Sequence, residues 1–218
     1  RDPQKMRAIL RSYARNISTL ATNSSLLQDI QANFSDISAP TLYSYLNILN
    51  RLYVIEDVPA WNPSIRSASA IRSGDKKEFT DPSIAVAALN LSPEKLLFDL
   101  HTFGFIFETL CIRDLKVYSG KFDGRVSYYH DRYGLEADCV LHLDNDKYAL
   151  IEFKLGSRGI EEGAKHLCEL RDLIRKHNAE VPQQHLREPD LLIVITGGEL
   201  AYRRNDGVCI IPIGCLKD

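Results

Sequence analysis

The sequence predicts an α/β chain: an N-terminal winged helix-turn-helix over residues 1–78, then a mixed sheet with flanking helices over residues 79–218. Three observations carry this reading. The first third shows apolar stripes at helical spacing, closed by a strand-like run. The remainder runs helix, three strands, helix, two strands, the order that gives a sheet with helices on its faces. Within it, two alternating runs flank Asp144-Asn145-Asp146, whose side chains suit a tight turn, and so form a hairpin.

The first helix is read over residues 5–21, with Met6, Ile9, Leu10, Tyr13, Ala14, Ile17 and Leu20 on one stripe. Asn23-Ser24-Ser25 can cap a short second helix, LLQDIQANF, with Leu26, Leu27 and Ile30 inward. A third helix begins near Ser38, with Pro40 in its first turn, where proline costs nothing. It turns Leu42, Tyr45, Leu46, Leu49 and Leu52 inward and Thr41, Tyr43, Ser44, Asn47 and Arg51 outward. In a winged helix-turn-helix the third helix usually enters the DNA major groove, so these five are the candidate nucleic-acid contacts. Arg66, Arg72, Lys76 and Lys77 offer a basic wing. A winged helix serving only as a packing or protein-contact module is the plain alternative, because the outward face is polar but weakly basic.

YVIEDVPAW reads as a strand that ends at proline, and Trp61 to Asp75 as a loop or wing. Asp81 caps a helix that starts at Pro82 and runs to Leu89. The next helix, from about Ser92, continues through HTFGFIFETLCIRDLKVYSG and is apolar at Phe103, Ile106, Phe107, Leu110, Cys111 and Leu115. Glu108 lies among them, either as a satisfied helix-face residue or as a carboxylate aimed at the hairpin. A strand over Val126–Asp131, the hairpin, and a helix over about Ile160–His177 follow. Asp190-LLIVIT is a continuous apolar run suited to a central strand, and VCIIPI suits an edge because Pro212 cannot donate to a ladder. Gly197-Gly198 follows a strand but lacks the Lys-Ser/Thr of a phosphate loop.

The hairpin carries the chemistry. Closing LEADCVLHL on KYALIEFK at the turn sets Leu143 opposite Lys147, Asp138 opposite Glu152 and Glu136 opposite Lys154. Side chains two apart share a face, so four ionisable groups point one way. Opposed carboxylates repel by roughly 0.2–1 kcal/mol on a wet face and more in a dry one. A divalent cation, a shared proton or a nearby ammonium relieves that cost, and Lys154 supplies the last. Oxygen-rich pairs suit Mg2+, and a metal held by two carboxylates beside a lysine suits phosphodiester hydrolysis. The bland reading is a solvated strand face in which Glu136 pairs with Lys154 across the strands.

Composition bounds the rest. At 218 residues and 44% hydrophobic, the chain is one large domain or two small ones with ample core. No run of eighteen apolar residues exists, so no membrane helix is expected. RDPQKMRAIL has neither an apolar leader nor an initiating Met, and the chain is expected to be a segment of a longer one. The five cysteines, Cys111, Cys139, Cys168, Cys209 and Cys215, are widely spaced, which points to buried reduced thiols and a cytoplasmic location. The net charge of −2 conceals an asymmetry: the first eighty residues hold ten Lys/Arg against seven Asp/Glu, and the rest seventeen against twenty-two. The first segment can therefore meet nucleic acid, while the second does not advertise a broad phosphate-binding surface.

Asp138, Glu152 and Lys154, preceded by a helix with Glu108, resemble the PD-(D/E)XK nuclease signature. The whole chain also resembles the C-terminal region of a bacterial and archaeal family of AAA+-type ATP-binding proteins. The landmarks are RAILRSYARNIS, APTLYSYLNILNRLYVIEDVPAW, KKEFTDPSIAVAAL, GFIFETLCIRDL, LEADCVLHL and IEFKL; Asp81-Pro-Ser departs from the family's Asp-x-Gly. The resemblance implies a DNA-binding winged helix joined to a nuclease-like domain, with Asp138 and Glu152 ligating Mg2+ or Mn2+. Lys154 would position water or stabilise developing charge, and Glu108 would be an auxiliary ligand or base. It further implies DNA and the protein's own ATPase domain as partners, with ATP bound only through that missing domain, and leaves self-association open. The alternative is an inactive nuclease-like module that regulates or dimerises the ATPase.

Overall fold

A computed structural model of the chain describes residues 2–34, 36–61 and 74–217. The chain is mixed α/β, and its described residues form two compact units: those of 2–58 with 74–110, and those of 59–61 with 111–217. The expected boundary lay between residues 78 and 79. Residues 74–110 instead join the first unit, because Phe79, Ala85, Leu96 and Ile106 share a core with the N-terminal helices. No helix among the described residues is long and apolar enough to cross a membrane.

The first unit opens with α1 (Pro3–Arg15), α2 (Asn23–Gln31) and α3 (Ala39–Arg51). Asp2, Thr22 and Ser38 cap them by accepting from the N–H of Gln4, Ser25 and Thr41. α1 stops at Arg15 rather than residue 21, and Ser18 takes a left-handed backbone (φ 54°) just beyond it. That break leaves Leu20 41% exposed, outside the stripe expected of it. Leu52 likewise falls past the end of α3 and is exposed. The run after α3 pairs with residues 76–80 through isolated antiparallel bridges, Ile55 with Phe79 and Val58 with Lys76. Three helices followed by two short antiparallel arms are therefore present, as expected. Arg66 and Arg72 lie outside the described residues.

Lys76 and Lys77 do not form a basic wing. Both are buried: Lys76 Nζ lies 2.6 Å from Glu108 Oε1, and Lys77 Nζ lies 2.5 Å from Asp57 Oδ2. Next to them Glu78, with no exposure, accepts from Ser18 Oγ and Thr109 Oγ1 at 2.8 Å each. Tyr13 donates its hydroxyl to Asp57 in the same network. α4 (Pro82–Ala88) starts from an Asp81 cap, so the Asp81-Pro-Ser sequence forms an ordinary helix start. The long helix expected from Ser92 is interrupted. α5 (Pro93–Phe98) ends at Asp99, whose carboxylate accepts from Thr102 N–H and starts α6 (Leu100–Ser119) afresh.

The second unit holds a six-stranded mixed sheet in the order β1-β2-β3-β4-β6-β5. Its strands are β1 (Arg125–His130), β2 (Glu136–His142), β3 (Tyr148–Lys154), β4 (Leu191–Thr196), β5 (Tyr202–Arg203) and β6 (Cys209–Pro212). β1, β2 and β3 run antiparallel, while β4 lies parallel to β3 and β6 parallel to β4. The parallel crossover from β3 to β4 uses α7 (Ile160–Glu180). β6 is not the edge strand, because the two-residue β5 pairs outside it. β5 reaches only residues 209 and 210, however, so Pro212 needs no donor on that side. The thiols are free, but Cys215 is exposed rather than buried.

α7 packs Ile160, Ala164, Leu167 and Leu170 on the sheet face that holds Val140, Leu150, Val194 and Ile210. Leu167 is wholly buried there. Leu167→Ala should cost the unfolding transition of this unit about 2–5 kcal/mol, read as a lower urea midpoint with an unchanged slope. A change below about 1 kcal/mol would mean that α7 is not held by this seam.

Candidate active site

The hairpin closes in the register expected. Cys139 pairs with Ile151, Val140 with Leu150 and His142 with Tyr148, which carried on sets Asp138 against Glu152. Asp146 takes the left-handed turn conformation (φ 63°), and Leu143 N–H donates to Lys147 O. Asp138 stands where β2 bulges. Between Ser127–Val140 and Tyr129–Ala137, two β2 residues, Asp138 and Cys139, face the single Tyr128 of β1. A bulge redirects the side chains at its position. Asp138 Oδ2 accepts from Phe153 N–H at 2.8 Å, so the carboxylate itself ties β2 to the end of β3.

β3 supplies the other groups. It lies between β2 and β4 with all but its last residue buried, so Glu152 cannot reach water and has no exposure. Lys154, two residues on and on the same face, places Nζ 2.9 Å from Glu152 Oε2. α7 comes down on this pair at a glycine. A Cβ at Gly163 would stand 3.2 Å from Glu152 Cβ and 3.0 Å from Lys154 Cε, and one at Gly159 would stand 2.9 Å from Lys154 Cδ. His166 follows Gly163 by three residues and brings Nδ1 to 3.9 Å from Glu152 Oε1.

Burial sets the electrostatics. Among the described residues neither oxygen of Glu152 nor Nδ1 of His166 receives a properly angled hydrogen bond, although all three atoms are out of water. The Lys154 contact is therefore ionic rather than a hydrogen bond in line. Burial, then the Asp138 charge, pushes the Glu152 carboxyl up to about 9 against the pull of Lys154. Burial lowers Lys154, but Glu152 and Asp138 outweigh it and hold the ammonium above its ordinary value.

Asp138, Glu152 and Lys154 are thus brought together, and Glu136 is not. Among the described residues the expected Glu136–Lys154 ion pair does not form: the β2–β3 pairing ends at Cys139 and Ile151, and the bulge puts Ala137 rather than Glu136 on the α7 face, while the ammonium goes to the fully buried Glu152. Glu108 belongs to the first unit and pairs with Lys76, an ordinary reason for an acid on an apolar helix. On α3, Tyr43, Ser44, Asn47 and Arg51 are exposed and Thr41 is half-buried. His166 escaped sequence reading. Its signal was a polar ring three residues after Gly163, beside the buried stripe of α7. A buried carboxylate with one oxygen on an ammonium and the other without a hydrogen bond, opposite a second carboxylate, suits a hard divalent cation. Among the described residues, however, no three His, Cys, Asp or Glu side chains form a closed ligand set.

A family model described as a domain of unknown function (DUF4143) matches residues 103–216, and another (DUF8612) matches residues 1–95. The crystal structure of protein VC1899 from Vibrio cholerae is similar at 17% identity with a TM-score of 0.33, over 97% of this chain. The chain spans 53% of the length of that protein chain. No curated protein matches.

The raised Glu152 value fixes the sign of a pH effect. Its folded value of about 9 exceeds the ordinary 4.5, so its contribution is complete below pH 4.5 and is lost as pH rises through 9. Without divalent metal, Glu152→Gln should gain on the wild type between pH 5 and pH 9, on the order of a few kcal/mol by urea unfolding. Parallel stability profiles for the two proteins would show that Glu152 ionises freely in the fold.

Proposed function

Since this chain belongs to the family of DUF4143 domains, whose function is unknown, we propose from the site itself that its second unit is a metal-dependent phosphodiester hydrolase, a nuclease. One observation carries the reading: Glu152, without exposure and with both oxygens unpartnered by hydrogen bonds, stands between Asp138 and Lys154. The α6-β1-β2-β3-α7-β4 order supports it, since it sets an acid on one strand and Glu-x-Lys on the next. Asp138 and Glu152 are the residues that would hold Mg2+ or Mn2+. When bound, such an ion supplies Lewis acidity and lowers the pKa of water. Lys154 keeps a cation beside the carboxylates, placed to orient a water and to offset charge developing on a phosphate. Its ammonium form persists because two acids face it.

The first unit is proposed to contact DNA through Thr41, Tyr43, Ser44, Asn47 and Arg51 of α3, four of which are exposed. The sequence landmarks extend the proposal to a longer protein with an AAA+-type ATPase domain as partner. A second reading, a non-catalytic interaction module, is favoured by the absence of a closed ligand set among the described residues and by the Lys154–Glu152 contact.

Calorimetry separates the two. Mn2+ should bind the wild-type chain and fail to bind Glu152→Ala, and its stabilising effect on melting should vanish in Asp138→Ala. Cleavage of labelled DNA with Mn2+ should then fall about 10²–10³-fold in Lys154→Ala, with metal binding retained. A wild type that takes up no Mn2+ leaves the interaction module as the better reading.

A further inference from the structure

His166 is a buried donor that the nuclease signature does not use. Its Nδ1 lies out of water with no hydrogen-bond partner among the described residues, and so does Glu152 Oε1, 3.9 Å away. That gap is too long for a hydrogen bond. Two ligand bonds of roughly 2.0–2.2 Å each can span it. Lys154 contacts the other oxygen, Oε2, so Oε1 and Nδ1 face each other as an unsatisfied pair. Gly163 makes the approach: with no Cβ it lets α7 settle on Glu152, and the residue one turn on is carried to the same face. His166 also lines a cleft of about 710 Å³ with Glu162, Lys165 and Arg204.

We propose that His166 is a third ligand of the site, a nitrogen donor that fits it to a first-row transition-metal ion, Mn2+ included, in preference to Mg2+. The inference rests on the reading above in one respect, that Asp138 and Glu152 take a cation. Oxygen-only sets suit Mg2+ and Ca2+, whereas an imidazole adds affinity for the first-row transition ions, least for Mn2+ and more for those after it, and is a poor reason to hold Mg2+. The donors do not form a closed set without the ion, and binding draws His166 and Glu152 onto it.

The test uses the 218-residue chain stripped of metal, then titrated with Mn2+ and with Mg2+ by calorimetry. Pulsed electron paramagnetic resonance on the Mn2+-loaded protein reads nitrogen coordination directly. The wild type should show nitrogen-14 modulation and bind Mn2+ more tightly than Mg2+. His166→Ala and His166→Asn should lose the modulation and about tenfold or more in Mn2+ affinity, with Mg2+ affinity little changed. Unaltered circular dichroism would certify that the variants fold. Mn2+ binding without nitrogen modulation, or modulation that survives both variants, overturns the ligand role and leaves the nuclease reading standing; a bridging water then joins His166 to Glu152. Absence of Mn2+ binding to the wild type overturns both.

Discussion

Glu152 is held on a strand that cannot turn it toward water. β3 is flanked by β2 and β4, its preceding residues are all buried, and α7 closes the face on which Glu152 points. A carboxylate so placed must lose its charge or acquire a positive neighbour, because an isolated buried ion costs several kcal/mol. Much of the local architecture follows from that demand. Lys154 turns back to its own strand and places its ammonium against Glu152. Gly159 and Gly163 leave room for the lysine stem under the helix. Asp138 spends one oxygen on Phe153 N–H, which fixes the second acid at the end of the β2–β3 ladder.

In the first unit the same rule acts on several charges at once. Lys76 pairs with Glu108, while Asp57, Lys77 and Glu78 share a polar network with Tyr13, Ser18 and Thr109. Two lysines that the charge count assigns to the surface are thereby withdrawn from it. The excess of cations in the first eighty residues therefore overstates the positive surface. The exposed cations of its helices include Arg7 and Arg11 on α1 and Arg51 on α3. Contact with a phosphate backbone through α3 would lean on hydroxyl and amide groups, with one arginine.

Legibility in the sequence followed the range of the interactions. The hairpin was readable because strand alternation and Asp144-Asn145-Asp146 fix the register locally, and register alone opposes Asp138 to Glu152. Helix starts were readable because Ser38, Asp81 and Ser92 act within a few residues of themselves. What escaped depends on distant chain. The division of the units turns on Phe79 and Ile106 joining a core seventy to a hundred residues from α1. The fate of Lys76 and of Glu108 was set by each other, thirty-two positions apart. β6 lost its place at the edge to a two-residue strand too short to leave a pattern.

Asp138, Glu152 and Lys154 were legible as neighbours, but the expectation of one face shared by all four groups failed at Glu136, because the β2 bulge that takes it off that face leaves no trace in the alternation. With Glu136 half-exposed and Glu152 sealed, the ammonium goes where a charge is costliest, and the symmetry of the hairpin breaks. A purely structural account of that outcome has a difficulty. A strand reading Tyr-Ala-Leu-Ile is already suited to burial, and an aliphatic side chain at position 152 would continue it without a cation, a missing Cβ on the helix above, or an oxygen left without a hydrogen bond. Keeping a carboxylate there sustains a site whose charge changes with what approaches it. The Nδ1 of His166, out of water and without a hydrogen bond among the described residues, faces the Glu152 oxygen that Lys154 leaves open. The two unmet demands face each other, and one divalent cation answers both.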